Sequence, residues 1–361
     1  MDKISVVIPV HNGADKITKT VKALLGQSYP NTEIILVENF SKDNSLAVCQ
    51  TLAEENERVK VFQSFDRGTT YARKKGILSA TGDYITFSDQ DDSYSNKQSL
   101  EKMYQAITTD NSEICQFGYY ITKGFGMKKK LYAECGHKIV SRDAAINEEL
   151  KGLFFCFKTD ISTNVWNKIY KADFLKNVVK KMNRTLYIAE DQYLNMLALT
   201  NEQFHQISFY DDAYYVWNSE IGRSSLSGSA ENLFAENNFT RMLALDYAKK
   251  YSLGEDVIYK MHLDTIYYLK AIICTNISNA AEKKDVLEKI FRYSNFDIVK
   301  SAKAYFQNLP AEKRWEELEF IISDYTPEEY YQFCENQKQN VGLKTKLHIF
   351  YQKIMHKSYK K

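Results

Sequence analysis

Gly82-Asp83-Tyr84-Ile85-Thr86-Phe87-Ser88-Asp89-Gln90-Asp91-Asp92 is the stretch on which the fold turns. Tyr84 to Phe87 is a short β-branched and aromatic run, the pattern of a strand buried on at least one face. Its C-terminal end delivers the carboxylates of Asp89, Asp91 and Asp92 almost side by side. Carboxylates crowded this way repel one another unless a cation sits between them. Ligands of open α/β sheets also bind outside the carboxyl ends of the strands. One reading is therefore an oxygen-liganded divalent-metal site that completes its shell with phosphates. The other is a solvated acidic turn, since Asp and Asn favour turns for their own reasons.

Working outward, the chain before this stretch alternates strand and helix. Ile4–Val10 is a continuous apolar run, and Pro9-Val10-His11-Asn12-Gly13 supplies a turn. Ile17–Leu25 has helical periodicity, Glu33–Val37 is a second strand, and Ser41 or Asp43 caps the helix that ends near Asn56. Val59–Phe62 is a third strand, and Thr69–Ser79 reads as a helix capped by Thr69 or Thr70. Four apolar strands separated by helices predict a parallel sheet covered on both faces.

After the stretch, Asn96–Thr109 is helical, and the region between Glu113 and Tyr132 turns β-like, an antiparallel addition to the sheet. Ala144–Phe155 is helical again, and the segment Val165–Leu175 follows. Glu190-Asp191-Gln192 opens an apolar helix, and Ala213–Trp217 is strand-like. Beyond Glu231 only helical patterns remain. The expected organisation is an α/β domain over 1–228 and a helical accessory domain over 229–361.

Composition narrows the function classes. A formal net charge of +2 over 361 residues speaks against a dedicated nucleic-acid binder. The six cysteines are scattered without a CxxC or Cys/His cluster, which fits a reducing compartment and gives no zinc signal. No signal-peptide pattern or apolar run long enough for a membrane span is seen, so a cytoplasmic location is expected.

Polar features recur at the carboxyl edge of the predicted sheet: Pro9-Val10-His11-Asn12, Glu38-Asn39-Phe40-Ser41, Asp66-Arg67-Gly68 with Arg73, and Asp89-Gln90-Asp91-Asp92. A nucleotide lying there meets polar groups for base and ribose, an arginine, and a metal for its diphosphate. No GxxxxGK[ST] and no GxGxxG is present, which excludes a P-loop and weakens a dehydrogenase reading. At these residues the chain resembles a family 2 glycosyltransferase of the GT-A fold. The resemblance rests on Val7-Ile8-Pro9-Val10-His11-Asn12, Val37-Glu38-Asn39-Phe40-Ser41-Lys42-Asp43 and Arg67-Gly68-Thr69-Thr70-Tyr71-Ala72-Arg73-Lys74-Lys75-Gly76. It continues through Gly82–Asp92, Asn167-Lys168-Ile169-Tyr170 and Glu190-Asp191, covering roughly residues 3–228.

The resemblance implies inverting transfer of a sugar from a nucleotide-diphosphate donor, with UDP expected, to an acceptor hydroxyl in bacterial surface-polysaccharide synthesis. It implies that Pro9, Val10, His11, Asn12, Glu38, Asn39, Asp66, Gly68, Arg73, Asp89, Gln90, Asp91 and Arg223 bind the sugar donor. Asp91, with Asp89, would hold Mn²⁺ or Mg²⁺. Asp191 would be the general base, with Trp166, Lys168, Glu190 and Trp217 on the acceptor side. By its position alone, Asp191 reads first as a helix N-cap, and the resemblance is what turns the reading to a base. Two departures stand out: Asn39 and Phe40 replace the family's Asp-Gly, and no His follows the acceptor-side strand. They support a rival reading, a non-catalytic nucleotide-binding subunit. A sugar-1-phosphate nucleotidyltransferase shares the sheet but needs a Gly-rich GxGTR-like loop that is absent after the first strand.

The C-terminus carries a further signal. Leu343, Leu347, Phe350 and Ile354 form one apolar stripe among lysines, with no acid from Val341 onward. Such a basic amphipathic helix either packs as an ordinary terminal helix or lies on anionic lipid. Lipid contact would place a glycan or lipid-linked glycan acceptor at the inner face of the membrane.

Overall fold

The computed structural model describes residues 1–64, 66–123, 127–132, 134–154, 157–184, 186, 189–218, 230–266, 283–310, 326–329 and 331–332. Four strands, β1 (Ile4–Val10), β2 (Thr32–Glu38), β3 (Val59–Gln63) and β4 (Tyr84–Phe87), lie parallel in the order β3-β2-β1-β4. The helices between them are α1 (Ile17–Leu25), α2 (Ser45–Glu55) and α3 (Thr69–Ser79). Val6, Val7, Ile8, Ile35, Leu36 and Ile85 are fully buried, as continuous apolar runs require of strands covered on both faces. Each such side chain contributes about 1.5–3 kcal/mol by leaving water.

Local chemistry differs from expectation at several ends. β1 runs through Pro9 and Val10, and the turn starts only at His11. Pro9 is tolerated because it has the parity of Val7, whose carbonyl turns towards Ser88; β4 has already ended there, so no ladder bond is lost. Thr70 does not cap α3: its hydroxyl donates to the Leu186 carbonyl and accepts the Leu186 N–H. Gly68 takes the N-cap position at φ 120°, a backbone shape that a side chain would resist. A Cβ on Gly76 would come within 2.3 Å of Val7, so glycine lets α3 lie directly against β1.

The sheet continues past β4 through β9 (Lys168–Lys171), β6 (Ile114–Lys123), β10 (Gln206–Trp217) and β5 (Ser93–Tyr94). The segment Val165–Leu175 thus divides into β9 and the start of α6 (Ala172–Lys180). β9 runs antiparallel to both β4 and β6 and joins the two halves of the sheet. β6 and β10 are parallel to each other. Two hairpin-like strands flank them: β7 (Met127–Leu131) pairs β6, and β8 (Lys138–Ser141) pairs β10. α4 (Ser99–Asp110) packs Leu100, Met103 and Ile107 into the core with β1, β2 and α1. The expected helix over Ala144–Phe155 is short and irregular: α5 (Arg142–Ala144) passes through a wider and then a tighter turn up to Leu153. α7 (Glu190–Leu199) completes the unit Met1–Ser229.

The second unit, Ala230–Lys361, is helical where it is described: α8 (Ala230–Lys250), α9 (residues 255–266), α10 (Lys283–Ser294) and α11 (Asp297–Gln307). Leu263, Ile266, Ala302 and Phe306 form a small core cluster, and Arg241 pairs with the buried Asp264. The basic stripe of 341–361 lies outside the described residues. Among those that are described, no helix is long and apolar enough to cross a membrane.

Candidate active site

The four polar features noted in the sequence reach the carboxyl edge of the sheet, and the loops there are tied to one another through side chains on backbone. Gln90 Oε1 accepts the His11 N–H at 2.9 Å, and its Nε2 donates to the His11 carbonyl at 2.9 Å. The His11 ring Nδ1 lies 2.7 Å from the Asn39 carbonyl. Asn39 Oδ1 accepts the Gly68 N–H at 3.2 Å, joining the β2 and β3 loops. Glu38 Oε1 accepts the Ser41 N–H, and Asn12 Oδ1 the Lys42 N–H. Val10 is buried in the core and its carbonyl takes the Asn39 N–H. Asp66 is exposed and uses its carbonyl to hold the Ser64 hydroxyl.

Phe40 lies at the same edge with φ 55°, left-handed where the family pattern has glycine. Its ring is 40% exposed, with the Arg67 guanidinium 5.6 Å from the ring centre. A left-handed bulky residue costs about 1–2 kcal/mol.

The second part of the edge is electrostatic. Arg73, on α3 and 5% exposed, faces three carboxylates. It pairs with Asp89 at 3.3 Å, with Glu190, and with Asp191 at 2.6 Å. Burial opposes its charge, but Asp191, Glu190 and Asp89 together hold its pKa above the ordinary arginine value. Burial pushes Glu190 up to about 7 against the pull of Arg73, and Asp191 adds to the rise. Asp89 is raised to about 6 by desolvation in the cleft, with Arg73 opposing and Asp191 and Asp91 reinforcing. Asp191 is the second residue of α7, whose N-cap position is Ala189 at φ 63°. Its Oδ2 accepts the Val165 N–H at 3.2 Å, so it points across the cleft and does not cap its own helix.

The acidic loop is held from behind. Asp92, 4% exposed, accepts the Tyr215 hydroxyl at 2.8 Å and the Asn218 N–H at 2.7 Å. Tyr215 in turn accepts the Asp89 N–H at 2.9 Å. Burial and the Asp89 charge push Asp92 up to about 8. The Thr20 hydroxyl of α1 lies within bonding reach of the Gln90 and Asp92 carbonyls. Asp91 forms a loose ion pair with Lys16 at 3.7 Å, beyond hydrogen-bond reach, and shows no side-chain hydrogen bond among the described residues. An all-oxygen pair, Asp91 and Asp89, fits a hard divalent cation that takes its other ligands from phosphate. Among the described residues no cluster of three protein ligands forms.

On the acceptor side the residues divide. Lys168 is fully buried, and its amine donates to the Ser162 carbonyl at 2.9 Å, the Ser162 hydroxyl at 3.0 Å and the Asn164 carbonyl. It therefore shapes the 162–167 loop from inside and does not reach an acceptor, which corrects its expected place; burial pulls its pKa down to about 7. Trp166 is 4% exposed, stacked on Tyr215 with centroids 4.4 Å apart and edge-on to Tyr119 at 4.7 Å. It is a wall of packed rings. Trp217 is partly exposed, 6.4 Å from Trp166. Gln90 likewise spends its amide on His11, so its contribution to a ligand is through loop position. Arg223 lies outside the described residues.

Sequence reasoning missed Lys16, Thr20, Asp92 and Tyr215. Asp92 had a signal, as the one carboxylate of the cluster without an assigned role. Lys16 and Thr20 had none, because nothing local tells that α1 turns them towards the acidic loop.

A parallel β1–β4 half, an antiparallel seam and an acidic loop at the carboxyl edge define a GT-A domain. Residues 5–159 match the profile of Glycosyl transferase family 2. Over 296 residues it is 25% identical to a cholesterol galactosyltransferase of Borreliella burgdorferi, covering 80% of this chain and 81% of that one. Over 196 residues it is 28% identical to glycosyltransferase GlyA of Streptococcus pneumoniae, covering 54% of this chain but only 27% of that much longer protein. Among solved structures, S. aureus TarS 1–349 superposes with a TM-score of 0.59 at 19% identity, over 94% of this chain and 92% of that one. At that identity the likeness is one of fold.

Proposed function

We propose that the chain transfers a sugar from a nucleoside-diphosphate donor, UDP-linked, to an acceptor hydroxyl with inversion. The observation that carries this reading is the grouping of Asp89, Glu190 and Asp191 around Arg73, beside Asp91. Such a group can hold a diphosphate through a metal and, a few ångströms away, accept a proton. The Borreliella relative is named a galactosyltransferase, and a TarS structure at a TM-score of 0.55 is described as a complex with UDP-GlcNAc. A relative from Bacillus spizizenii, 28% identical over 218 residues, is named a poly(ribitol-phosphate) β-glucosyltransferase. The last of these names supports a surface-polysaccharide setting.

In this reading the loops braced by Gln90, Asn39 and Glu38 receive the base and ribose. Asp91, with Asp89, would hold Mn²⁺ or Mg²⁺, which when bound neutralises charge on the departing diphosphate. Asp191 accepts the proton of the acceptor hydroxyl as that oxygen attacks, so no covalent enzyme intermediate forms. Arg73 orients Asp191 through their ion pair. The basic, apolar-striped sequence of 341–361 supplies contact with anionic lipid.

Titration calorimetry of UDP with Mn²⁺ tests the site. Asp91→Asn keeps the shape and removes the charge that the cation needs, so metal-dependent UDP binding is expected to vanish with the fold intact. Unchanged affinity in the variant would overturn the metal assignment. UDP binding without any donor hydrolysis by the wild type would favour the non-catalytic subunit.

A further inference from the structure

β7 and its surroundings carry a charge pattern that the sugar-donor site does not use. From Ile114 to Tyr132 the sequence has four lysines and no acid. Lys128, Lys129 and Lys130 are consecutive and exposed on β7, and among the described residues none of the three forms an ion pair. β10 pairs along one side of β6; β9 takes the Ile114–Gln116 half of the other side and β7 the Tyr119–Lys123 half. β7 therefore lies on the β4 side of β6, at the carboxyl edge, the edge that bears Asp89 and Asp91. Its outer edge pairs with no other strand among the described residues.

A row of rings joins this strand to the carboxylates. Tyr215, which holds Asp89 and Asp92, stacks on Trp166; Trp166 meets Tyr119 edge-on; Tyr119 stacks on Tyr132 with centroids 5.8 Å apart. Tyr132 is 38% exposed. Because β7 runs antiparallel to β6, the lysines continue outward from Tyr132 in the order 130, 129, 128. Lys129 pairs with Ile121 and shares the face of Tyr119, while Lys128 and Lys130 pair with Thr122 and Tyr120 on the other face. An anionic chain laid along the open edge meets all three.

We propose that this edge is the acceptor track of the site and that the acceptor is a polyanion, a chain of phosphodiester-linked units whose terminal hydroxyl reaches Asp191. The proposal rests on the glycosyltransfer reading. Edge strands also carry lysines simply to prevent edge-to-edge pairing, and the experiment separates the two roles. Each basic contact to a dense anionic surface is worth about a factor of five in affinity. Neutralising three therefore predicts a loss on the order of 100-fold, shrinking as salt is added.

Full-length wild type, a Lys128→Gln, Lys129→Gln, Lys130→Gln triple variant and the corresponding triple Arg variant are compared by fluorescence anisotropy. The probes are a labelled poly(glycerol phosphate) oligomer and an uncharged dextran of similar length; sedimentation with phosphatidylglycerol vesicles is run in parallel. The expected result is binding of the phosphate polymer alone, lost in the Gln variant, kept in the Arg variant, at equal melting temperatures. Equal polymer binding by the Gln variant, with or without self-association, overturns the proposal. So does binding of dextran as tightly as the phosphate polymer, or vesicle binding that depends on the three lysines without any polymer binding. Failure of the wild type to bind UDP with Mn²⁺ sinks the glycosyltransfer reading instead, whereas UDP binding without polymer binding sinks only the acceptor track.

Discussion

The two banks of the cleft use polar side chains in opposite ways. On the β1–β2–β4 bank, Gln90, Asn39 and Asn12 each hold a backbone group of a neighbouring loop, and Glu38 holds one of its own loop. On the α3–α7 bank, Arg73, Asp89, Glu190 and Asp191 face one another as charges, and burial raises the pKa of Glu190 and of Asp89. The first arrangement lowers the free energy of the folded chain, because each bond satisfies a donor or acceptor that the loop would otherwise leave to water. The second raises it, because buried charges keep a desolvation cost that their pairing only partly offsets. Residues that brace should therefore reveal themselves in stability, and residues that react should reveal themselves in rate.

The largest effect is expected at Asp191. Asp191→Asn keeps an oxygen for the Val165 N–H and removes the proton acceptor, so sugar transfer should fall by about 10²–10⁴-fold, the usual range for a general base. UDP affinity and melting temperature should stay near wild type. Transfer within a few-fold of wild type would reject Asp191 as base and turn attention to Glu190. Next comes the stability cost of the charged bank. In the folded chain burial raises the Glu190 pKa from its ordinary value of 4.5 to about 7. Its raised value favours the folded state fully below the unfolded pKa, and that contribution is lost as pH rises through about 7. Thermal melts from pH 4.5 to 7.5 should show wild type losing about 1–3 kcal/mol relative to Glu190→Gln across that window. Parallel curves would erase the contrast between the banks. The smallest effect belongs to a brace: Gln90→Ala frees the His11 N–H and carbonyl and should cost about 1 kcal/mol in urea unfolding. Transfer by that variant, with saturating substrate, should change little, and a loss as deep as that of Asp191→Asn would place Gln90 in the chemistry.

How much of this was legible depends on how local each cause is. The β1–β4 half was readable because continuous apolar runs of Val and Ile leave few alternatives, and the motifs at its carboxyl edge follow from strand ends. β9 was not: Lys168-Ile169-Tyr170-Lys171 includes a buried lysine, and its strand conformation comes from pairing with β4 and β6, both distant in sequence. The cluster around Arg73 was legible as a list of residues but not as an arrangement, since Asp191 by its position reads first as a helix cap. Lys168 misled for a related reason. A lysine in a family motif looks like a contact to substrate, yet here its amine is consumed by the carbonyls of its own loop. Phe40 was visible only as a departure from a glycine, and its left-handed backbone shows why glycine is the easier residue there.

The position of β9 has a consequence for how the chain is made. β4, the strand that ends in the acidic loop, is an inner strand of the finished sheet, but its second partner is encoded far downstream. Until Lys168–Lys171 has left the ribosome, Tyr84–Phe87 is an open edge of apolar and aromatic residues, free to pair with any other extended chain. Sheet closure is therefore a late, long-range step, the kind that slows folding. A nascent chain stalled before Lys168 is expected to aggregate, while one released after β10 is expected to fold. The same seam that brings the two banks of the cleft together thus sets the moment in synthesis when the molecule becomes safe from its own neighbours.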